Sequence, residues 1–200
     1  MIEFIVGSSL ATAAGLNAWM PLFLLGLADR LLPSVTLPSG WSWLSNDVAL
    51  WIIGLLLVAE VVADKVPALD SVNDVVQSLI RPAAGGIAFG AGSAAQTSAT
   101  DPSALFADNA WVPIAVGIAI ALAVHIAKSV IRLGANAVTA GVSAPVLSTA
   151  EDGASFALSL TALLAPILAG ALLVALVALV ITRARRRRRR TNHRDDGTTP

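Results

Sequence analysis

The chain has 200 residues, 56% of them hydrophobic and 13% charged, with a mean hydropathy of +0.77 and a formal net charge of zero. Soluble domains carry about 25% charged residues, so this composition excludes a water-facing globular surface and predicts one membrane-embedded helical unit. Without cysteine there is no disulfide, thiolate metal site or cysteine nucleophile, and His125 and His193 alone are too few for zinc or haem, so no metal or cofactor is expected. No nucleophile–base pair or phosphate-binding glycine motif is visible either, so no catalytic residue is assigned and an enzyme is the third functional reading, after a transporter and a scaffold.

The N-terminus, MIEFIV, has Glu3 and no Lys or Arg before Arg30, which argues against a cleaved signal and for a retained helix. Phe4–Leu27 is apolar over 24 residues, long enough to cross a hydrocarbon core of about 30 Å. Asn17 and Pro21 lie inside it; a mild kink is the expectation there, and a break beside a cavity the alternative. The loop LLPSVTLPSGWSWLSND follows, with prolines that exclude a regular element and tryptophans, Trp41 and Trp43, that suit a membrane–water interface, as does Trp51.

Val48–Ala63 reads as the second span. After Pro67, Leu69, Val72, Val76, Leu79 and Ile80 recur at helical spacing, opposite Asp70, Asp74, Gln77 and Arg81, which predicts an amphipathic surface helix. Ala83–Ala99 is a short Gly/Ala-rich span suited to close helix packing. Ala110–Leu133 is a long span ending in His125, Lys128 and Arg132. Gly134–Ala150 is again small-residue-rich, with Pro145 inside, and either crosses or re-enters. Glu151-Asp152-Gly153 reads as a turn at the outer surface or the mouth of a pore, and Ala154–Thr182 as an uncharged final span. Residues 78–92 and 129–143 share Ser, Ile, Arg, Ala and Gly at five aligned positions, a match that Ala/Gly-rich sequence also produces by composition alone.

Residues 183–196 carry eight arginines against two acids, and the rest of the chain five cations against eleven acids. A basic run beside a span sets topology and attracts anionic lipid. No aromatic residue accompanies Arg183–Arg190, so nucleic-acid binding is not expected. The expected fold is therefore all-α: a polytopic bundle of about six spans, two of them short, plus the surface helix. Residues 1–182 form the membrane domain and 183–200 a basic, disordered tail. Both termini are cytoplasmic, in a bacterial inner membrane.

The buried charges carry the functional reading. Glu60 and Asp64 are one turn apart on one helix face, and His125, Lys128 and Arg132 share another. Unpaired charge inside a bilayer costs about 2.5–3.5 kcal/mol near a helix centre, so the acidic and basic faces should meet. Lys65, Arg81 and Arg132 fit best as surface charges that fix orientation. Glu60, His125 and Lys128 fit a polar cavity for an ion or small anionic solute, in which Glu60 or His125 carries a proton. Asn17, Asp64, Asp70, Asp74, Glu151 and Asp152 complete the expected pathway. The leading function is a small transporter or channel, acting alone or as a homo-oligomer. The alternative is a non-transporting scaffold or accessory subunit.

The strings GLNAWMPLFLLGLADR (15–30), EVVADKVPALDSV (60–72), IRPAAGG (80–86), HIAKSVIR (125–132) and STAEDG (148–153) together resemble a family of bacterial integral membrane proteins defined as a domain of unknown function. The resemblance runs over about residues 5–180. It implies a shared membrane scaffold around the charged positions and assigns none of them a role.

Overall fold

The computed structural model describes residues 1–97, 111–139, 142–178 and 182, without the side chains of 67–72 and 74. The described residues are all-α. The elements are α1 (Ile2–Leu16), α2 (Trp19–Leu31), a 3-10 turn (Ser42–Ser45), α3 (Asp47–Ala63), α4 (Pro67–Ala94), α5 (Trp111–Thr139), α6 (Ala144–Leu164) and α7 (Pro166–Ala178).

α1 is apolar on every face and is buried from Val6 to Gly15, the pattern of a central helix. Phe4 meets Phe89 of α4 edge to face, with ring centroids 5.6 Å apart. Val6 and Leu10 lie against Gly92, and Gly15 lies against Ala121 and Val124 of α5. α4 and α5 run antiparallel, with Gly85 on Gly117 and Ala121, and Gly90 on Ile114. A Cβ at Gly85 or Gly117 would enter the other helix's backbone, so this contact exists only because both positions lack a side chain. Gly117→Val is expected to lower the unfolding midpoint sharply, by more than the usual overpacking cost of about 1–3 kcal/mol, since backbone cannot move aside as a side chain can. A thermal melt of the purified variant beside wild type measures this.

Five expectations about element boundaries are corrected, and the loop after α2, expected to hold no regular element, contains the 3-10 turn Ser42–Ser45. Phe4–Leu27 is two helices, interrupted at Asn17, whose backbone is extended (φ −142°, ψ 119°). α2 runs antiparallel to α3, with Gly26 against Leu50 and Phe23 against Gly54. The segment after α2 pairs with the end of α4 through a bridge between Thr36 and Gln96. Both arms thus lie beside the 89–96 end of α4, and Asn17 forms the deep tip between them. With 15 and 13 residues, the arms are about 22 and 20 Å long.

The expected surface helix and the span after it are one helix, α4, which continues through Pro82. Residues 134–150 are not a separate span: α5 extends to Thr139, and Pro145 opens α6 in its first turn, where a missing N–H costs nothing. α6 then runs straight through Glu151-Asp152-Gly153. The expected final span is divided at Ala165 (φ −147°, ψ 69°), because a residue before proline is pushed out of the helical region and Pro166 follows.

Among the described residues one helix, α5, is by itself long and apolar enough to cross a membrane, and 22% of its apolar window is buried. α3 also turns an apolar face outward: it buries Leu50, Ile53 and Glu60 while Trp51 and Leu55 are 81% and 72% exposed. The tail from 183 onward lies outside the described residues.

Candidate functional site: a closed ion cluster at a broken helix

Five structural elements converge on one point. α3 places Glu60 and Asp64 one turn apart. α4 supplies Arg81, halfway along its 28 residues, and α5 supplies His125, at the middle of its 29, followed by Lys128 and Arg132. α6 brings Glu151 and Asp152. The interruption between α1 and α2 brings Asn17 and the freed backbone groups around it. Glu60, Asp64, Arg81, His125, Lys128 and Arg132 are each at most 5% exposed.

Glu60 joins the broken helix to α4. Its carboxylate accepts from the Ala18 N–H at 3.0 Å and from Arg81 Nη2 at 2.9 Å. The Ala18 N–H opens α2, where unpaired donors and the helix dipole favour an anion. The other side of the break is closed by the opposite charge: Lys128 Nζ donates to the Leu16 carbonyl at 3.0 Å. Asn17 steadies the tip, accepting from Met20 N at 3.0 Å and donating to Asp152 Oδ1 at 3.0 Å. Ser155 adds a bond to the Ala13 carbonyl.

Asp64 is the hub. Its Oδ2 lies 3.2 Å from Lys128 Nζ, 3.3 Å from Arg132 Nη2 and 3.4 Å from Arg81 Nη2, and its Oδ1 accepts from Asn73. Glu151 binds Arg132 at 2.6 Å and Lys128 at 3.0 Å. Arg81 Nη1 is 3.3 Å from His125 Nδ1. At the edge, half-exposed Lys65 reaches Asp152 at 2.9 Å. Four carboxylates therefore face four cations, and the cluster is formally neutral with His125 uncharged. Such a set is tolerated in an apolar interior only when every member is paired, because one uncompensated buried charge costs several kcal/mol.

Ten of the twelve residues singled out from sequence meet here: Asn17, Glu60, Asp64, Lys65, Arg81, His125, Lys128, Arg132, Glu151 and Asp152. The side chains of Asp70 and Asp74 lie outside the described residues. Three placements differ from expectation. Arg81 and Arg132 are not surface charges but are 0% and 2% exposed, held in by carboxylates on α3 and α6. Glu151 and Asp152 do not mark a turn; they sit within α6 and face inward. Asn17 ends a helix instead of kinking one. Periodicity missed the Ala18 N–H, the Leu16 carbonyl and Asn73; the signal for the first two was a lone asparagine inside an apolar run. Arg81 and Arg132, which occupy matching positions in the weak sequence echo, both reach the same oxygen of Asp64.

A cavity of about 620 Å³ lies between α1, α5, α6 and α7, with mostly apolar walls and with Lys128 and Glu151 of the cluster in its lining. Among the described residues no group of three or more His, Cys, Asp or Glu is arranged to hold a metal ion.

These features define an all-α protein organised around a buried, neutral ion cluster at a helix break. Residues 4–186 match the family described as Domain of unknown function (DUF4126), and the chain belongs to that family. No curated protein and no solved structure matches it.

Proposed function

We propose that this is an integral membrane protein that moves an ion or small anionic solute across the bilayer, with the helix break and its ion cluster as the working part. The observation that carries this reading is the pair of contacts at the break. The freed N–H of Ala18 is held by Glu60 and the freed carbonyl of Leu16 by Lys128. Half-helix termini near the midplane are where transporters bind charged solutes. Here those termini are occupied by the protein's own charges, as in a closed state. An anion that takes the place of Glu60 at Ala18, with Glu60 protonated, leaves the cluster's charge unchanged, which couples solute to proton.

The outward apolar faces of α3 and α5 support embedding in lipid. In this reading the chain is multi-pass in an inner membrane, with Arg183–Arg190 on the cytoplasmic side against anionic lipid. The complete internal pairing of the cluster favours a second reading, a non-transporting scaffold in which the ions only lock helices together.

The two readings separate in liposomes loaded with a pH-sensitive dye and challenged with chloride, phosphate and small carboxylates. Glu60→Gln keeps an acceptor for Ala18 but cannot exchange a proton. Transport predicts solute-driven proton flux in wild type and its loss in a variant that still elutes as a single folded species. Absence of flux with every solute supports the scaffold.

A further inference from the structure

We propose a second site, on the outside of the α2–α3 pair, for one zwitterionic phospholipid with a primary ammonium headgroup. The site rests on the membrane-embedded reading above but not on transport. A groove of about 520 Å³ runs between the two helices. Phe23 and Leu27 of α2 face Leu50, Gly54 and Val58 of α3, and the Phe23 ring packs into the space left by the absent side chain at Gly54.

One end of the groove is charged. Arg30 and Asp47 form an ion pair there, with side chains 48% and 71% exposed. Among the described residues Arg30 is the one Lys or Arg outside the central cluster. The pair offers a guanidinium and a carboxylate side by side. A phosphate alone meets repulsion from Asp47, and an ammonium alone meets repulsion from Arg30. A phosphoethanolamine headgroup satisfies both, with phosphate on the guanidinium fork and ammonium donating to the carboxylate.

Two further observations place this end at headgroup depth. Trp51, one turn into α3 from Asp47, and Trp111, at the start of α5, are 81% and 67% exposed, and Trp43 is half-exposed nearby in sequence. Exposed tryptophans collect at the membrane–water interface. The groove's length fits one leaflet: Asp47 to Val58 is eleven residues, about 16 Å, against about 15 Å for half of a hydrocarbon core. An acyl chain descending from the ion pair therefore lies along Leu50, Gly54 and Val58 for its whole depth.

The full chain, purified in mild detergent with added phosphatidylethanolamine, phosphatidylcholine or phosphatidylglycerol, tests this by native mass spectrometry. The expected result is one retained phosphatidylethanolamine per chain. Its retention falls about fivefold in the double variant Arg30→Gln/Asp47→Asn, whose changes are at the surface and leave the core intact. Gly54→Leu, whose side chain must push the Phe23 ring into the groove, should lower it as well. Equal retention of phosphatidylglycerol, or undiminished retention in the double variant, overturns the assignment. So does a Trp51→Cys variant that forms a disulfide-linked dimer in native membranes, since α3 would then face a second copy. Protein that needs detergent for extraction yet retains no lipid overturns this site alone. Protein found in the aqueous fraction overturns the membrane reading and the site with it.

Discussion

Replacing Asp64 with leucine is expected to cost about 3–5 kcal/mol, the usual penalty for removing one partner of a buried ion pair. That is a large share of the 5–15 kcal/mol by which domains are stable, so the variant should accumulate poorly and melt early. Three cations, Arg81, Lys128 and Arg132, point at one oxygen of Asp64. Its loss leaves the cluster with four cations and three carboxylates, in a place where none of the three can reach water. Asp64→Asn isolates the charge from the shape. It keeps an acceptor for Asn73 but not the negative charge, and should recover only a minor part of the loss. Thermal unfolding of wild type and both variants, with amounts of monodisperse protein, checks this. An Asp64→Leu melt within a degree or two of wild type would show that the cations find other partners.

Arg81→Met should be nearly as damaging, because Arg81 has no exposed surface and its main partner, Glu60, is equally buried. Its removal leaves Glu60 charged against a single backbone N–H. The informative comparison is the double variant Arg81→Met/Glu60→Gln. Glutamine still accepts from Ala18, and the excess charge is gone. Replacing a buried pair with neutral groups of similar volume is often close to neutral. The double variant should therefore regain most of what Arg81→Met loses, a coupling of about 2–3 kcal/mol. Additive losses would mean that Arg81 and Glu60 act independently, against the 2.9 Å contact between them.

The parts of this architecture that were legible in sequence are those governed by helical periodicity. Glu60 with Asp64, and His125 with Lys128 and Arg132, could be assigned to common faces because i, i+3, i+4 and i+7 share a side. The cost of unpaired charge then required those faces to meet, and Asp64 does lie against Lys128 and Arg132. What was not legible depended on tertiary contact. Pro82 looked like the end of a surface helix. In the fold α4 continues through it, packed on α5 at Gly85 and Gly117, and Glu60 and Asp64 hold Arg81 inside. Glu151-Asp152-Gly153 has turn composition, yet α6 continues, because Arg132, Lys128 and Asn17 hold both carboxylates from outside the helix. At Asn17 an apolar run with one asparagine favours a mild kink over the break that the fold contains. Sequence alone does not show that a carboxylate and an ammonium from two other helices will close the two severed ends.

The order in which the neutral cluster gains its members follows from their places along the chain. A ribosome delivers Glu60 and Asp64 first, then Arg81, then Lys128 and Arg132, and only afterwards Glu151 and Asp152. Until α6 emerges, the nascent chain holds two basic groups on α5 with half of their counter-charge. The arrangement therefore reaches neutrality only when α6 arrives, and a product truncated ahead of Glu151 is left with four cluster cations, Lys65, Arg81, Lys128 and Arg132, against two carboxylates, Glu60 and Asp64.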